Sequence, residues 1–268
     1  MKAARARVLI GGLAVLAAAA TAPAQDHIEN ARTEHRQASG SLDRDIQSVA
    51  ARDAVTWIGY RLPAVPNGRI SCNAPVQLEP AKEMIALIRV ASRRVDRIRT
   101  FSPSCAIDAG ETPMVWLDGV TPDQSATWLA SIVAAAAGAS DRNPPLMTPA
   151  MSALESTPGQ VALRALIGFA KDNTRPTVRS RAIASLAFRA EADATAAIQN
   201  AIQNDPDTEV KKTAVGALAR MPKDEGVPLL IQVARTNRNV DVRKQAMFWL
   251  GESKDPRAVS FFEEILQK

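Results

Sequence analysis

Histidine is almost missing from this chain: His27 and His35 are the two among 268 residues, and both lie in a polar N-terminal stretch. A Ser-His-Asp triad or an imidazole metal site would have to be built from that stretch alone, so neither is expected. The 13 glycines nowhere form a phosphate-cradling loop or a GxGxxG turn, and HExxH and GxSxG are absent. The adjacent carboxylates Asp224-Glu225 and Glu263-Glu264 point apart when helical, which suits solvated faces rather than paired acid–base work. The chain is therefore expected to be no enzyme and to hold no cofactor or metal.

Cysteine is equally sparse, with Cys72 and Cys105 as the two. In an oxidising compartment an even pair reads as one disulfide, and closing a loop of that length adds about 3–4 kcal/mol of stability. Two free thiols or a redox pair are the alternatives, although the spacing is unlike CxxC.

Apolar residues form one long run, at the start. Lys2, Arg5 and Arg7 precede the run 8–20, and Ala22-Pro23-Ala24 offers a small-x-small cleavage site. Residues 1–24 read as an export signal, an uncleaved anchor being the alternative, and the mature chain is expected to begin near Gln25. Periplasmic location or secretion follows, with no membrane insertion after signal cleavage. The 33 basic and 28 acidic residues give a net charge of +5, but three of the basic ones sit in the signal, which leaves +2. So small an excess does not suit a nucleic-acid binder, and nucleic acid is not an expected partner.

What the chain does have is a period. From Leu146 onward it repeats every 32 residues: Ala150, Ala182, Ala214 and Ala246 share a column, and so do Leu154, Leu186, Leu218 and Leu250. Val178, Val210 and Val242 lead three of these blocks and are followed by Arg179, Lys211 and Arg243. A further apolar column runs Leu166, Ile198, Leu230, Phe262. A unit of this size cannot bury its apolar face alone, so copies must stack as a solenoid. Each unit reads as two helices, for example 194–203 and 210–220 around the turn Asn204-Asp205-Pro206-Asp207, and residues 257–266 make a half-repeat.

Upstream, residues 25–54 read as a polar linker, or a flexible mature N-terminus, with a short helix at 42–51. Residues 55–120 carry β-type runs at 55–60, 84–90, 95–101 and 114–117, with Ala91-Ser92-Arg93-Arg94 as a hairpin turn and a bulge or ragged strand after it. This segment predicts a small mixed β domain with little core of its own. Thr121-Pro122-Asp123 opens a capping helix, N-cap first, which with its following linker occupies 121–145.

The string Asp205-Pro206-Asp207-Thr208-Glu209-Val210-Lys211-Lys212-Thr213-Ala214-Val215-Gly216-Ala217-Leu218 resembles the HEAT consensus, of the HEAT-like kind also found in phycobilisome lyases. Val178-Arg179-Ser180-Arg181-Ala182 and Val242-Arg243-Lys244-Gln245-Ala246 resemble it too, and the likeness covers 146–268. Trp57-Ile58-Gly59-Tyr60-Arg61 and the string 101–110 are similar to a domain of exported bacterial HEAT-repeat proteins of unknown function. The resemblance implies that second helices line a concave, partner-binding face and that Arg179, Lys211 and Arg243 occupy a basic column. That column is either structural, paired with acids such as Asp207 and Asp241, or part of the binding surface. Arg181, Arg189, Lys212, Arg220 and Lys244 are expected to make a mildly basic inner surface suited to an acidic segment. Trp249 is either core filling or an exposed anchor.

The expected fold is mostly α: a C-terminal α-solenoid of HEAT-like helical hairpins over 146–268, preceded by a small mixed α+β domain with one disulfide. The expected function is non-enzymatic protein–protein interaction, as a scaffold of the cell envelope with an unidentified protein partner. The rival is an envelope hydrolase or lyase whose site lies in 55–120, with the repeats as clamp. A third reading has the basic column holding an anionic polymer, which salt would weaken.

Overall fold

The computed structural model describes residues 28–65, 81–137, 144–189 and 191–267. Residues 1–24, with the expected signal and its cleavage site, lie outside the described residues, as does Cys72. Its expected partner Cys105 is buried, at 1% exposure.

The N-terminal part is built on a mixed five-stranded sheet. Its strands are β2 (Arg32–Gln37), β3 (Thr56–Pro63), β4 (Glu83–Ala91), β5 (Arg94–Phe101) and β7 (Pro113–Asp118), in the order β2-β7-β3-β4-β5. Strands β3, β4 and β5 run antiparallel, while β7 pairs parallel with both β2 and β3. The short strands β1 (Ile28–Glu29) and β6 (Ile107–Asp108) pair with each other beside the sheet. Period-two alternation gives the sheet two apolar faces. Ile58, Tyr60, Leu62, Ile88 and Val115 belong to the main core, whereas Ile85, Leu87, Met114 and Trp116 form a separate cluster on the outer face. The β4–β5 turn places Ser92 and Arg93 at positive φ, 50° and 62°, as a tight hairpin requires. The register slips at Arg89/Val90, where Val90 faces Val95 and Arg89 faces Arg97, so Asp96 is the extra residue of a bulge.

Residues 28–54, the described part of the expected linker, are not the linker their polarity implies. β2 lies within that span as an edge strand paired along its whole length with β7. Its side chains are mostly exposed and polar, so no apolar alternation marks it; only its main chain is used. Helix α1 (Leu42–Ala50) follows, capped by Ser41 Oγ, which accepts from the Arg44 N–H, and buries Leu42, Ile46 and Val49.

Helix α2 (Pro122–Ala137) starts with a reciprocal cap: Thr121 Oγ1 accepts from the Gln124 N–H and Gln124 Oε1 accepts from the Thr121 N–H. It does more than cap the repeats, because it packs along α3 (Met147–Ser156) as the first helix of a hairpin. Three more hairpins follow: α4 (Gln160–Asp172) with α5 (Pro176–Leu186), α6 (Ala192–Asn204) with α7 (Thr208–Leu218), and α8 (Lys223–Thr236) with α9 (Val240–Ser253). Helix α10 (Pro256–Leu266) closes the stack. First helices pack on first helices (α2, α4, α6) and second on second (α5, α7, α9), which is the arrangement of a solenoid.

The 32-residue columns are its core. Ala150, Ala182, Ala214 and Ala246 are fully buried, so helix backbones approach closely there, and the four leucines of the next column are buried beside them. Each such leucine contributes about 1.5–3 kcal/mol. The core of the sheet and that of the solenoid are one contiguous cluster, running from Leu42 to Phe261. The small sheet therefore shares its core with the solenoid instead of relying on a minor core of its own. Its inner face is buried by α1, α2 and α3, and the buried Tyr60 hydroxyl bonds Ser125 on α2 at 3.0 Å. Burial pushes the Tyr60 phenol up to about 12, so it stays protonated.

Candidate functional site: the second-helix face

Turn chemistry fixes how the hairpins sit, and it consumes most of the basic column. Asn173, Asp205 and Asn237 recur at the period of the repeat, and the side-chain oxygen of each accepts the backbone N–H two residues on. Asp207 and Asn239 then cap α7 and α9. Arg179 donates from Nε to Asp205 Oδ2 (2.7 Å), from Nη2 to Oδ1 (2.9 Å) and from Nη1 to the Asn173 carbonyl (2.9 Å). The Asp205 carboxylate raises the Arg179 pKa against the opposing effect of burial. Lys211 and Arg243 instead bond carbonyls, Gln203 at 2.9 Å and Asn237 at 2.8 Å. Arg179 is thus structural, and its acid is Asp205 rather than Asp207 or Asp241, whereas Lys211 and Arg243 pair with no acid among the described residues. Asp207 is occupied as an N-cap, and Asp241 sits in the first turn of α9 near Lys244.

Two of the expected solvent-facing arginines are also engaged within the solenoid, one buried and one half-buried. Arg189 is buried, donating to the Glu155 carbonyl (3.1 Å) and the Thr157 carbonyl (2.8 Å) at the end of α3, and its pKa is lowered by burial. Arg181 makes a bidentate pair with Glu155, at 2.6 and 3.0 Å, and a bond to Ser152 Oγ. Together they tie α5 to α3 across a repeat boundary. Lys212 pairs with Glu209 at 3.0 Å, Lys244 lies 3.9 Å from Asp241, and Arg220 is exposed, its Nη1 turned back to the Gly216 carbonyl at 3.3 Å. The inner surface is consequently of mixed sign rather than basic.

Trp249 is half-buried. Its indole lies over Gly216, where a Cβ would sit 3.4 Å from Nε1, and its ring meets Phe248 edge-on at 5.2 Å. Nε1 is buried with no acceptor among the described residues. The ring thus fills the gap that glycine leaves, and Phe248, 56% exposed, is the aromatic that meets solvent.

Sequence reasoning missed the apolar residues of this face. Phe188 is 48% exposed at the end of α5, and Val240 is 51% exposed at the start of α9. Ala184 on α5 and Phe188 in the turn after it line a cleft of about 550 Å³ together with Ser180, Arg181, Ser185 and Glu209. Phe248 occupies in α9 the position that Ala184 holds in α5. A signal was available: Phe188 and Phe248 interrupt the small or polar residues that their columns carry elsewhere, Arg220 and Glu252 in one, Ala184 and Gly216 in the other.

A second cleft, of about 340 Å³, opens on the outer face of the sheet within the segment 55–120, lined by Trp57, Arg97, Arg99, Phe101 and Asp108 among others. Among the described residues no helix is long and apolar enough to cross a membrane.

With this geometry in hand, comparison with known families places residues 194–268 on the HEAT repeats model. That stretch, α6 to α10, is a HEAT-repeat domain of helical hairpins. No curated protein matches the chain.

Proposed function

We propose that the protein is a non-enzymatic interaction module of the cell envelope, binding a protein partner on the second-helix face of its solenoid. The observation that carries this reading is the exposure of Phe188, in the turn that follows α5, and of Phe248 on α9, two repeats apart along the stack of second helices. Exposed aromatics of this kind are the usual energetic anchors of protein interfaces, and a prefolded stack loses little ordering entropy on binding. HEAT repeats generally serve as such scaffolds, and the match over 194–268 supports that coarser role.

Location in the periplasm, or secretion, rests on the basic start, apolar run and Ala-Pro-Ala site of residues 1–24. The Cys72–Cys105 disulfide belongs to the same reading. A hydrolase or lyase site in 55–120 draws less support, because the outer-face cleft offers Asp108 as its one carboxylate among the residues that line it. The Gly110 N–H and the Asn30 amide hold that carboxyl below its usual range, which makes it a weak base.

The test is crosslinking in intact envelopes with the mature chain, with Phe188→Asp/Phe248→Asp and with Lys212→Glu/Lys244→Glu. A protein partner lost with the aromatic pair and retained with the lysine pair supports the proposal. A partner retained by both variants moves the interface off this face. N-terminal sequencing of the exported protein, expected to start near Gln25, and thiol labelling before and after reduction test the location and the disulfide.

A further inference from the structure

The outer-face cleft is built unlike the solenoid surface. Its floor is the second apolar cluster of the sheet: Leu87 and Met114 are buried, with Trp57 and Phe101 half-buried beside them. Trp116 belongs to the same outer-face cluster as the floor. Trp116 lies against Gly59, where any Cβ would come within 2.5 Å of the indole, so the ring seats against bare backbone. One wall is the β1–β6 pair with its flanking loop, from which Ile107 and Ala109 pack onto the cluster. The other wall is the edge strand β5, which presents Arg97, Arg99 and Phe101 on one face at alternate positions.

Those two arginines set the chemistry. Both are exposed, and Arg99 forms no hydrogen bond or ion pair among the described residues. Arg97 acts on Asp96 only through space, because the Asp96 carboxylate is held by the Arg89 fork at 2.9 and 2.6 Å. Asp108, on the opposite wall, is committed to Asn30 at 3.0 Å and to the Gly110 N–H at 2.9 Å. The cleft is thus an apolar, aromatic trough with two unspent guanidinium forks on one rim and a carboxylate on the other. This polarity repels an anion from one side and receives it on the other, and arginine forks match a carboxylate in a bidentate manner.

We propose that this cleft binds a small apolar carboxylic acid. Its carboxylate is taken by Arg97 and Arg99, and its apolar body lies across Trp57, Leu87 and Phe101 toward Ile107. The volume falls at the small end of ligand sites, and apolar walls with few converging polar groups are their usual make-up. The proposal is independent of partner binding on the solenoid.

The test uses the full mature chain and 2-naphthoate as probe, followed by titration calorimetry, with naphthalene-2-methanol and 2-naphthylmethylammonium as neutral and cationic counterparts. One site per chain is expected for the acid, weakened at least about tenfold by Arg97→Gln/Arg99→Gln through loss of charge-assisted bonds and weakened by added salt. Both arginines are exposed, so the variant should keep its circular dichroism spectrum and melting temperature. Ala106→Trp, at an exposed residue of the same cleft, should block binding by filling it. Equal binding of the acid and its cationic counterpart, unchanged affinity in the arginine variant, or no heat with millimolar acid would each overturn the proposal.

Discussion

Arg179 and Asp205 meet across a repeat boundary in a two-point ion pair, with N–O distances of 2.7 and 2.9 Å and both side chains almost wholly shielded from water. The third guanidinium bond, to the Asn173 carbonyl, links the same arginine back to the turn of its own hairpin. One side chain thus joins two successive turns, and Asp205 also shapes its own turn by accepting the Asp207 N–H.

Asp205→Ala should therefore destabilise the protein by about 3–5 kcal/mol, because it leaves a buried guanidinium unpaired. The double variant Asp205→Ala/Arg179→Met should recover part of that loss, since the stranded charge is removed with its partner. Urea unfolding of the two variants and the parent measures both effects. A double variant no more stable than the single one would show that the turn, and not the ion pair, carries the energy.

Arg189→Met should cost about 1–3 kcal/mol by leaving the Glu155 and Thr157 carbonyls without their donor. Lys244→Glu, on an exposed side chain 3.9 Å from Asp241, should change stability by less than about 0.5 kcal/mol. Chemical denaturation separates the two. Similar costs would place Arg189 among the solvent-facing residues after all.

Glycine to alanine in a helix ordinarily stabilises by up to about 1 kcal/mol, and Gly168→Ala in α4, with open space around it, should do so. Gly226→Ala in α8 should do the opposite. Its Cβ would stand 2.3 Å from the Leu218 carbonyl oxygen, a backbone atom that cannot swing away, so a loss of about 1–3 kcal/mol is expected. Melting temperatures of the pair, moving in opposite directions, are the check.

Asp255 caps α10, and the Arg257 side chain together with the Arg257 N–H lowers its pKa from 3.8 to about 2. A carboxyl depressed in the folded state stabilises above its unfolded value, and that contribution is lost as pH falls through the folded value. Anchoring of α10 should accordingly weaken from about pH 4 downward to about pH 2. Asp255→Asn should flatten the pH dependence in this window. Amide exchange in α10 between pH 4 and 2 reads this directly, and equal slopes in variant and parent would contradict it.

Much of the solenoid was legible because its code is local and repeated. The columns at Ala150 and Leu154, and their equivalents 32 residues apart, specify which stripe of each second helix faces the next, and nearest-neighbour stacking needs no other information. The hairpin at Ser92-Arg93 and the cap at Thr121 were equally readable, since turn and cap chemistry lie within a few residues. Strand β2 was not legible. An exposed edge strand recruits the sheet through backbone bonds alone, and Arg32 to Gln37 carry no apolar signature.

The sequence by itself thus determined a repeating α-solenoid, its helical stripes and the place of its turns, because short-range periodicity encodes each of them. Only the tertiary structure decided what the charged and aromatic residues do. An arginine pairs with whatever acceptor the fold brings within about 3 Å, and that contact depends on how repeats stack, not on position in the period. So Arg181 and Arg189 became ties between helices, Trp249 became filling over Gly216, and Arg97 and Arg99 were left unspent on a sheet edge beside an aromatic cleft.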